Sequence, residues 1–293
     1  MTTPKIKMFS VRDGILKVAL ADVWALKLHE KVLPDFIKKL EAFIKEDGIV
    51  KDPVIVDEKT LVVLDGMHRV VALRELGSSY VPCCFIDYTV PVVQLGAWYR
   101  VIIGGASTKE IVEMTRTSFK NLRINEAETT NLDRKINSFQ GIGAFRSSSS
   151  AWIIRTGKKT NPKEAYDSIY LIEEKLRSSG LRITFQTESD AKTIILNDKS
   201  STCLMVPVLS KKDVLHFALR GEVFAPKATR HVFPVRILGV NIPVEWLDGE
   251  KLEITEANEK LQSLLSSRKL VKLPGGQIVD GRRYEEPIYL FEN

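Results

Sequence analysis

The chain has 293 residues, 44% of them hydrophobic and 27% charged, with 43 Lys and Arg against 37 Asp and Glu for a net charge of +6. That length supports a large core in one big domain or two ordinary ones, and no apolar run is long enough to span a membrane. With no basic-then-apolar leader at Met1, the expectation is a cytoplasmic protein. The mild positive charge is dispersed among acidic residues, which suits an anionic small molecule and weighs against nucleic acid as a partner. Three cysteines, Cys83, Cys84 and Cys203, lack C-x-x-C spacing. They point to neither a disulfide framework nor a zinc site, and the adjacent pair is expected in a buried strand.

In chain order, Lys5 to Trp24 predicts one or two edge strands around Ile15 to Ala19. Pro34 fits the first turn of a helix whose apolar residues (Leu33, Phe36, Ile37, Leu40, Phe43, Ile44) recur at helical spacing until Gly48. Pro53 to Val56 and Leu61 to Leu64 predict a hairpin, followed by a helix with Val70, Val71, Leu73 and Leu76 as its core face, then a strand over Val81 to Tyr88. Trp98-Tyr99-Arg100 closes this first unit, and Trp98 suits either core packing or the wall of a ligand pocket.

Thr108 to Met114 predicts a helix capped by Ser107 or Thr108, while Asn121 to Asn137 has no clean period. Gly141 to Ser150 reads as a mobile loop. Trp152 to Ile154 predicts a strand. Asn161, Pro162 and Glu164 stand in Ncap, N1 and N3 order ahead of a helix with Ala165, Ile169, Ile172 and Leu176 as its buried stripe, ending at Gly180. Strands are expected at Leu181 to Thr187, Lys192 to Leu196 and Thr202 to Val208, and a helix from the Ser210 cap to Leu219. A last helix covers Glu253 to Ser266, and the tail from Leu270 to Phe291 predicts a hairpin about Pro274-Gly275-Gly276. Asp280-Gly281-Arg282-Arg283 reads as a turn.

Two stretches carry chemistry. At residues 60 to 77 a buried strand turns at Asp65-Gly66 directly into a helix. A helix N-terminus presents unpaired N–H groups and partial positive charge, so Gly66, His68 and Arg69 form an anion cradle suited to phosphate. Asp65 would repel an anion there unless a divalent metal, a basic neighbour or a hydroxyl lay between; otherwise it simply caps the helix. The second stretch, Phe224 to Pro234, places Lys227, Thr229, Arg230 and His231 in five residues between prolines. It suits a carboxylate or phosphate ligand, or is a solvated basic loop. Glu30 lies just ahead of the Pro34 helix, where a carboxylate is more often a surface group than a catalytic one.

Leu64-Asp65-Gly66-Met67-His68-Arg69 resembles the Asp-Gly-His-His-Arg motif of the ParB/sulfiredoxin-like superfamily. Together with Leu28-His29-Glu30, Trp98-Tyr99 and Arg220 to Val232, it resembles more narrowly the archaeal free serine kinases, over roughly residues 20 to 105 and 210 to 247. The resemblance implies an α/β (α+β) fold, with a ParB/sulfiredoxin-like N-terminal domain, a second α/β domain, and the nucleotide and substrate site in the cleft between them. The implied division is 1–103 for the nucleotide-binding and catalytic domain and 104–222 for the second domain. Residues 223–247 form a substrate loop returning to the active site, and 248–293 an additional C-terminal extension.

The implied activity is phosphoryl transfer from ATP or ADP to L-serine, giving O-phospho-L-serine for cysteine biosynthesis. A ParB-like nucleotide-dependent DNA-binding or regulatory protein is the alternative. Glu30 matches the general base and Asp65 the assisting or magnesium-holding aspartate. Gly66, Met67, His68 and Arg69 fall in the phosphate-binding turn, with Met67 standing where the motif has histidine. Trp98, Lys227, Thr229 and His231 match serine-holding residues, Arg230 lies in the same loop, and Ala228 replaces a threonine.

Overall fold

The computed structural model describes residues 8–11 and 16–292, so the part of the first predicted strand at Lys5 to Lys7 and at Ile15 lies outside the described residues. The chain forms two compact units. One comprises residues up to 94, 218–222 and from 231 onward; the other comprises Leu95–Phe217 and Val223–Arg230.

The first unit opens with β1 (Phe9–Val11), β2 (Leu16–Asp22), α1 (Pro34–Asp47), β3 (Ile49–Val50), β4 (Val54–Asp57), β5 (Val63–Asp65), α2 (Met67–Glu75) and β6 (Tyr80–Ile86). Its sheet runs β1-β2-β6-β4-β5, with β4 parallel to β6 and the other neighbours antiparallel. Val18, Val54, Val56 and Val63 are fully buried, as are Val70, Ala72 and Leu73 on α2. The helix thus turns Ala72 inward where the sequence pattern favoured Val71, which is half-buried. Pro34 opens α1, and Gly48, at φ +64°, closes it with a left-handed cap that an L side chain rarely adopts. Cys83 and Cys84 are buried free thiols in β6.

The chain passes between units in β7 (Gln94–Gly96). The second unit contains β8 (Tyr99–Ile103), α3 (Thr108–Ser118), β9 (Leu122–Ala127), α4 (Leu132–Asn137), β10 (Gly143–Arg146), β11 (Ala151–Thr156), α5 (Pro162–Ser178), β12 (Arg182–Gln186), α6 (Glu188–Asn197), β13 (Thr202–Met205) and α7 (Lys211–Leu219), the end of which returns to the first unit. Its six-stranded antiparallel sheet has the order β12-β8-β13-β10-β11-β9. Asn161 caps α5 through a capping box with Glu164, as its spacing predicts, and of the two candidate caps for α3 it is Ser107 that closes a box with Glu110.

Two expectations are corrected. The stretch expected as a loop, Gly141 to Ser150, contains β10 and its turn into β11, which itself includes the strand expected at Trp152 to Ile154. The serine run is that four-residue turn, closed by Ser147 N–H donating to the Ser150 carbonyl at 2.9 Å and by Ser150 N–H donating to Ser147 Oγ at 3.1 Å. Lys192 to Leu196 is helical, because Thr187 accepts the Asp190 N–H and starts α6 five residues earlier. Its short apolar run is compatible with either helix or strand, and the cap decides.

After β14 (Arg230–Val232) the chain adds β15 (Arg236–Leu238), β16 (Ile242–Pro243), a 3₁₀ turn at Val244–Leu247, α8 (Ile254–Ser267), β17 (Lys269–Leu273), β18 (Ile278–Val279), β19 (Arg282–Arg283) and β20 (Ile288–Glu292). α8 is fastened to β2 by buried Asn258, whose Oδ1 accepts the Leu20 N–H at 2.7 Å and whose Nδ2 donates to the Leu20 carbonyl at 3.2 Å. The tail is a hairpin within a hairpin. β17 pairs antiparallel with β20, β20 runs parallel to β15, and β18–β19 turns at Asp280 and Gly281, both at positive φ.

Candidate active site

In the first unit, β5 delivers Asp65 to its end and Gly66 turns the chain into α2 at φ +94°. A Cβ at Gly66 would stand 2.8 Å from Val54 Cγ1, so only glycine fits both the dihedral and the space. The segment before α1 runs alongside. Lys27 N–H donates to Leu61 O and Val63 N–H to Lys27 O, placing His29 and Glu30 beside the end of β5. Glu30 N–H donates to the Met67 sulfur at 3.4 Å, and Leu33 N–H to His68 Nε2 at 3.0 Å. The turn and the Glu30 segment are therefore one assembly, and Met67 takes a structural part in it.

His29 is fully buried. Its Nδ1 donates to the Val63 carbonyl at 2.6 Å, and its Nε2 lies 3.8 Å from Glu30 Oε1. Burial lowers its pKa below the ordinary value despite the opposing pull of Glu30, the Val63 carbonyl and Asp65. The His231 ring packs edge-on against His29 and stacks on Phe233, and His231 Nε2 meets the Tyr88 hydroxyl at 2.8 Å. Tyr88 is held in turn by Asp57, which accepts its N–H at 2.9 Å.

Asp65 accepts from Arg236 at 2.7 Å through Oδ2 while leaving about a third, 34%, of its side chain exposed. Burial would raise its pKa, but the Arg236 guanidinium, then Arg282, the Arg236 hydrogen bond and Arg69, overcome this and hold the carboxyl well below the usual carboxylate range. Of the metal, basic neighbour or hydroxyl that the sequence left open beside this carboxylate, the structure shows a basic neighbour, Arg236 from β15. Arg69 donates to the Pro53 carbonyl at 3.1 Å, bracing the turn against the start of β4.

The second unit holds Trp98, Lys227, Thr229 and Arg230. The Lys227 ammonium lies 5.3 Å from the centre of the Trp98 ring, and Thr229 is buried. Arg230 donates to Glu188 Oε2 at 2.9 Å, while Oε1 of the same glutamate accepts the Ala97 N–H at 2.8 Å. Glu188 at the start of α6 therefore ties the Trp98 segment to the basic loop. Gly96 makes room for it, since a Cβ there would stand 2.7 Å from Glu188 Oε1. Of the residues named from sequence, Glu30, Asp65, Gly66, Met67, His68, Arg69 and His231 are in the first unit, and the other four are in the second. Sequence reasoning missed Arg236, Glu188, Tyr88 and Glu286. Each is remote from its partner in the chain, and no local spacing marks it.

Among the described residues no group of three His, Cys, Asp or Glu side chains is placed to hold a metal ion, and no helix is long and apolar enough to cross a membrane. Asp65, paired with Arg236 but about a third exposed, leaves oxygen for magnesium arriving on nucleotide phosphates, which needs only one or two protein carboxylates.

The first unit is an α/β fold in which a sheet strand ends in a glycine turn at the mouth of α2. No family model matches the chain. It is 30% identical over 243 residues to an ATP-dependent L-serine kinase of Staphylothermus marinus, an alignment covering 78% of this chain and 90% of that one. It is 24% identical to an ADP-dependent L-serine kinase of Thermococcus kodakarensis, covering 84% and 100%. In fold it matches a solved free serine kinase, a glutamate-to-alanine variant in complex with ADP, with a TM-score of 0.67 at 20% identity, covering 83% of this chain and 97% of the other. The chain belongs to the L-serine kinase family.

Proposed function

We propose that this protein transfers a phosphoryl group from ATP or ADP to the hydroxyl of L-serine, and that the O-phospho-L-serine formed supplies cysteine biosynthesis. The observation that supports this reading is the joining of the Glu30–Leu33 segment to the Asp65-Gly66 turn, Glu30 N–H to the Met67 sulfur and Leu33 N–H to His68, which sets the Glu30 segment against a helix mouth able to hold phosphate.

A serine hydroxyl is a poor nucleophile. In the proposed mechanism Glu30 accepts its proton as the oxygen bonds to the terminal phosphorus of the donor, a contribution of about 10²–10⁴-fold. The bond from that phosphorus to the bridging oxygen breaks, and its electron pair leaves with the nucleotide. The N–H groups at the mouth of α2, with Gly66, His68 and Arg69, hold the phosphates in line and take up charge that develops on them. Asp65 would hold magnesium, which would supply neutralisation of charge on the donor phosphates.

Trp98 and Lys227 with Thr229 hold the serine, Lys227 facing its carboxylate as a point charge. His231 orients the substrate from its place between Phe233 and Tyr88. Arg230, engaged by Glu188, acts by shaping this loop. The experiment is incubation of the purified protein with L-serine, magnesium and ATP, ADP or pyrophosphate in turn, with phosphoserine read by phosphorus NMR. Product with a nucleotide donor supports the reading, and no product with any donor rejects it.

A further inference from the structure

Arg236 is buried, yet it carries a charge between two carboxylates. One is Asp65 at the phosphate turn. The other is Glu286, which accepts the Arg236 Nε hydrogen bond from the C-terminal tail. The guanidinium also lies over two rings, Phe233 at 5.2 Å and Tyr284 at 5.6 Å. Its backbone is fixed by the same tail: Arg236 N–H donates to the Pro287 carbonyl at 2.9 Å, and β15 runs in parallel register with β20, Arg236 opposite Ile288. Tyr284 is locked by backbone bonds to Gln277 and Gly276, and packs in a small core with Leu238 and Ile288. From the inner hairpin, exposed Arg282 lies over Tyr284 at 4.9 Å.

An Asp–Arg–Glu triad built on a buried guanidinium and a nearly buried Glu286 is an expensive way to hold a hairpin, because those charges lose hydration that apolar residues would not need. What apolar packing could not do is orient a half-exposed carboxylate at the mouth of a helix. The tail reaches the turn through a guanidinium bonded at both ends to carboxylates and lying over two rings, which fixes the direction of its N–H groups. Arg282, stacked over Tyr284 on the same hairpin, adds a second positive charge that acts on Asp65.

We propose that the C-terminal hairpin, residues 269–292, is a working part of the nucleotide site. Glu286 and Tyr284 are positioning residues that aim Arg236 and through it Asp65, and Arg282 supplies a cation to the phosphate oxygens of a nucleoside di- or triphosphate. This rests on the phosphoryl-transfer reading and gives that site an arm from the far end of the chain.

The test compares wild-type full-length protein with Glu286→Gln, Glu286→Asp and Arg282→Gln. It measures kcat, KM for serine and for nucleotide, nucleotide Kd by calorimetry without serine, and the melting temperature. For Glu286→Gln we expect kcat to fall about tenfold or more with KM for serine unchanged, and Glu286→Asp to recover most of it, since small misplacements of reacting groups cost up to about a hundredfold. For Arg282→Gln, at an exposed site, we expect unchanged melting and nucleotide Kd and KM to rise about fivefold or more at unchanged KM for serine. Constants within twofold of wild type in both Gln variants would overturn the proposal. So would an activity loss in Glu286→Gln that tracks lowered melting and is not rescued by Asp. Wild-type protein that binds nucleotide without phosphorylating serine would reject the serine reading alone, because the Arg282 arm is read on nucleotide affinity.

Discussion

At the scale of single residues, Glu30 and His29 divide the work at one position in the fold. Glu30 is the proposed base, and its substitution by Gln keeps the shape while removing the proton acceptor. Glu30→Gln is expected to lower turnover at least about a hundredfold with nucleotide affinity nearly intact, measured by steady-state kinetics and calorimetry. Unchanged turnover would remove Glu30 from the role. His29 is buried, and burial lowers its pKa, so the folded state keeps it neutral. The unfolded chain protonates it near ~6.5, so its contribution to stability is full above that pH and is lost as pH falls from there through the lower folded pKa. Denaturant midpoints measured between pH 7.5 and about 5 should decline in the wild type and decline less in His29→Asn, whose amide can still donate to the Val63 carbonyl. Nothing in the residue pattern marked His29 as more than a neighbour of Glu30, because the groups that bury it come from elsewhere in the chain.

At the scale of elements, the strand-to-helix turn carries the site, and Gly66 is its least replaceable member. Gly66→Ala would place a Cβ against Val54 at a left-handed dihedral. It should destabilise the protein by about 1–3 kcal/mol in denaturant titrations and weaken nucleotide binding; a variant as stable as wild type would contradict the geometry. Local signals made much of this level legible: Pro34 and Gly48 bound α1, and the Asn161 and Ser107 boxes open their helices. The sequence also singled out the Asp65-Gly66 turn, because strand, glycine and helix are adjacent in the chain. Where reading failed, the competing signal was also local. The Ser147 to Ser150 run has the composition of a loop but closes a tight hairpin by its own hydroxyl and backbone bonds, and the run at Lys192 to Leu196 is too short for its period to choose between helix and strand.

At the scale of the whole molecule, the first unit is completed by the end of the chain. α8 is pinned to β2 through Asn258, and β15 to β20 hold Arg236 against Asp65. Asn258→Ala would leave the Leu20 N–H and carbonyl without this partner inside the protein, and should cost about 1–3 kcal/mol of stability in denaturant unfolding. No change beyond error would show that this bridge adds nothing. These long-range pairings were not legible in advance, because a carboxylate at residue 65 gives no local sign of a guanidinium at 236 or of a glutamate at 286. A basic neighbour was one of three partners the sequence left open for Asp65; choosing it, and identifying it as Arg236, needed the fold.

The central claim is serine phosphorylation, and the donor assay tests it most directly. Purified protein with L-serine, magnesium and ATP or ADP should yield a phosphorus resonance of O-phospho-L-serine that is absent without protein and strongly reduced in Glu30→Gln. No phosphoserine with any donor, together with salt-sensitive DNA binding in a gel shift, would contradict the account and favour a ParB-like binding protein.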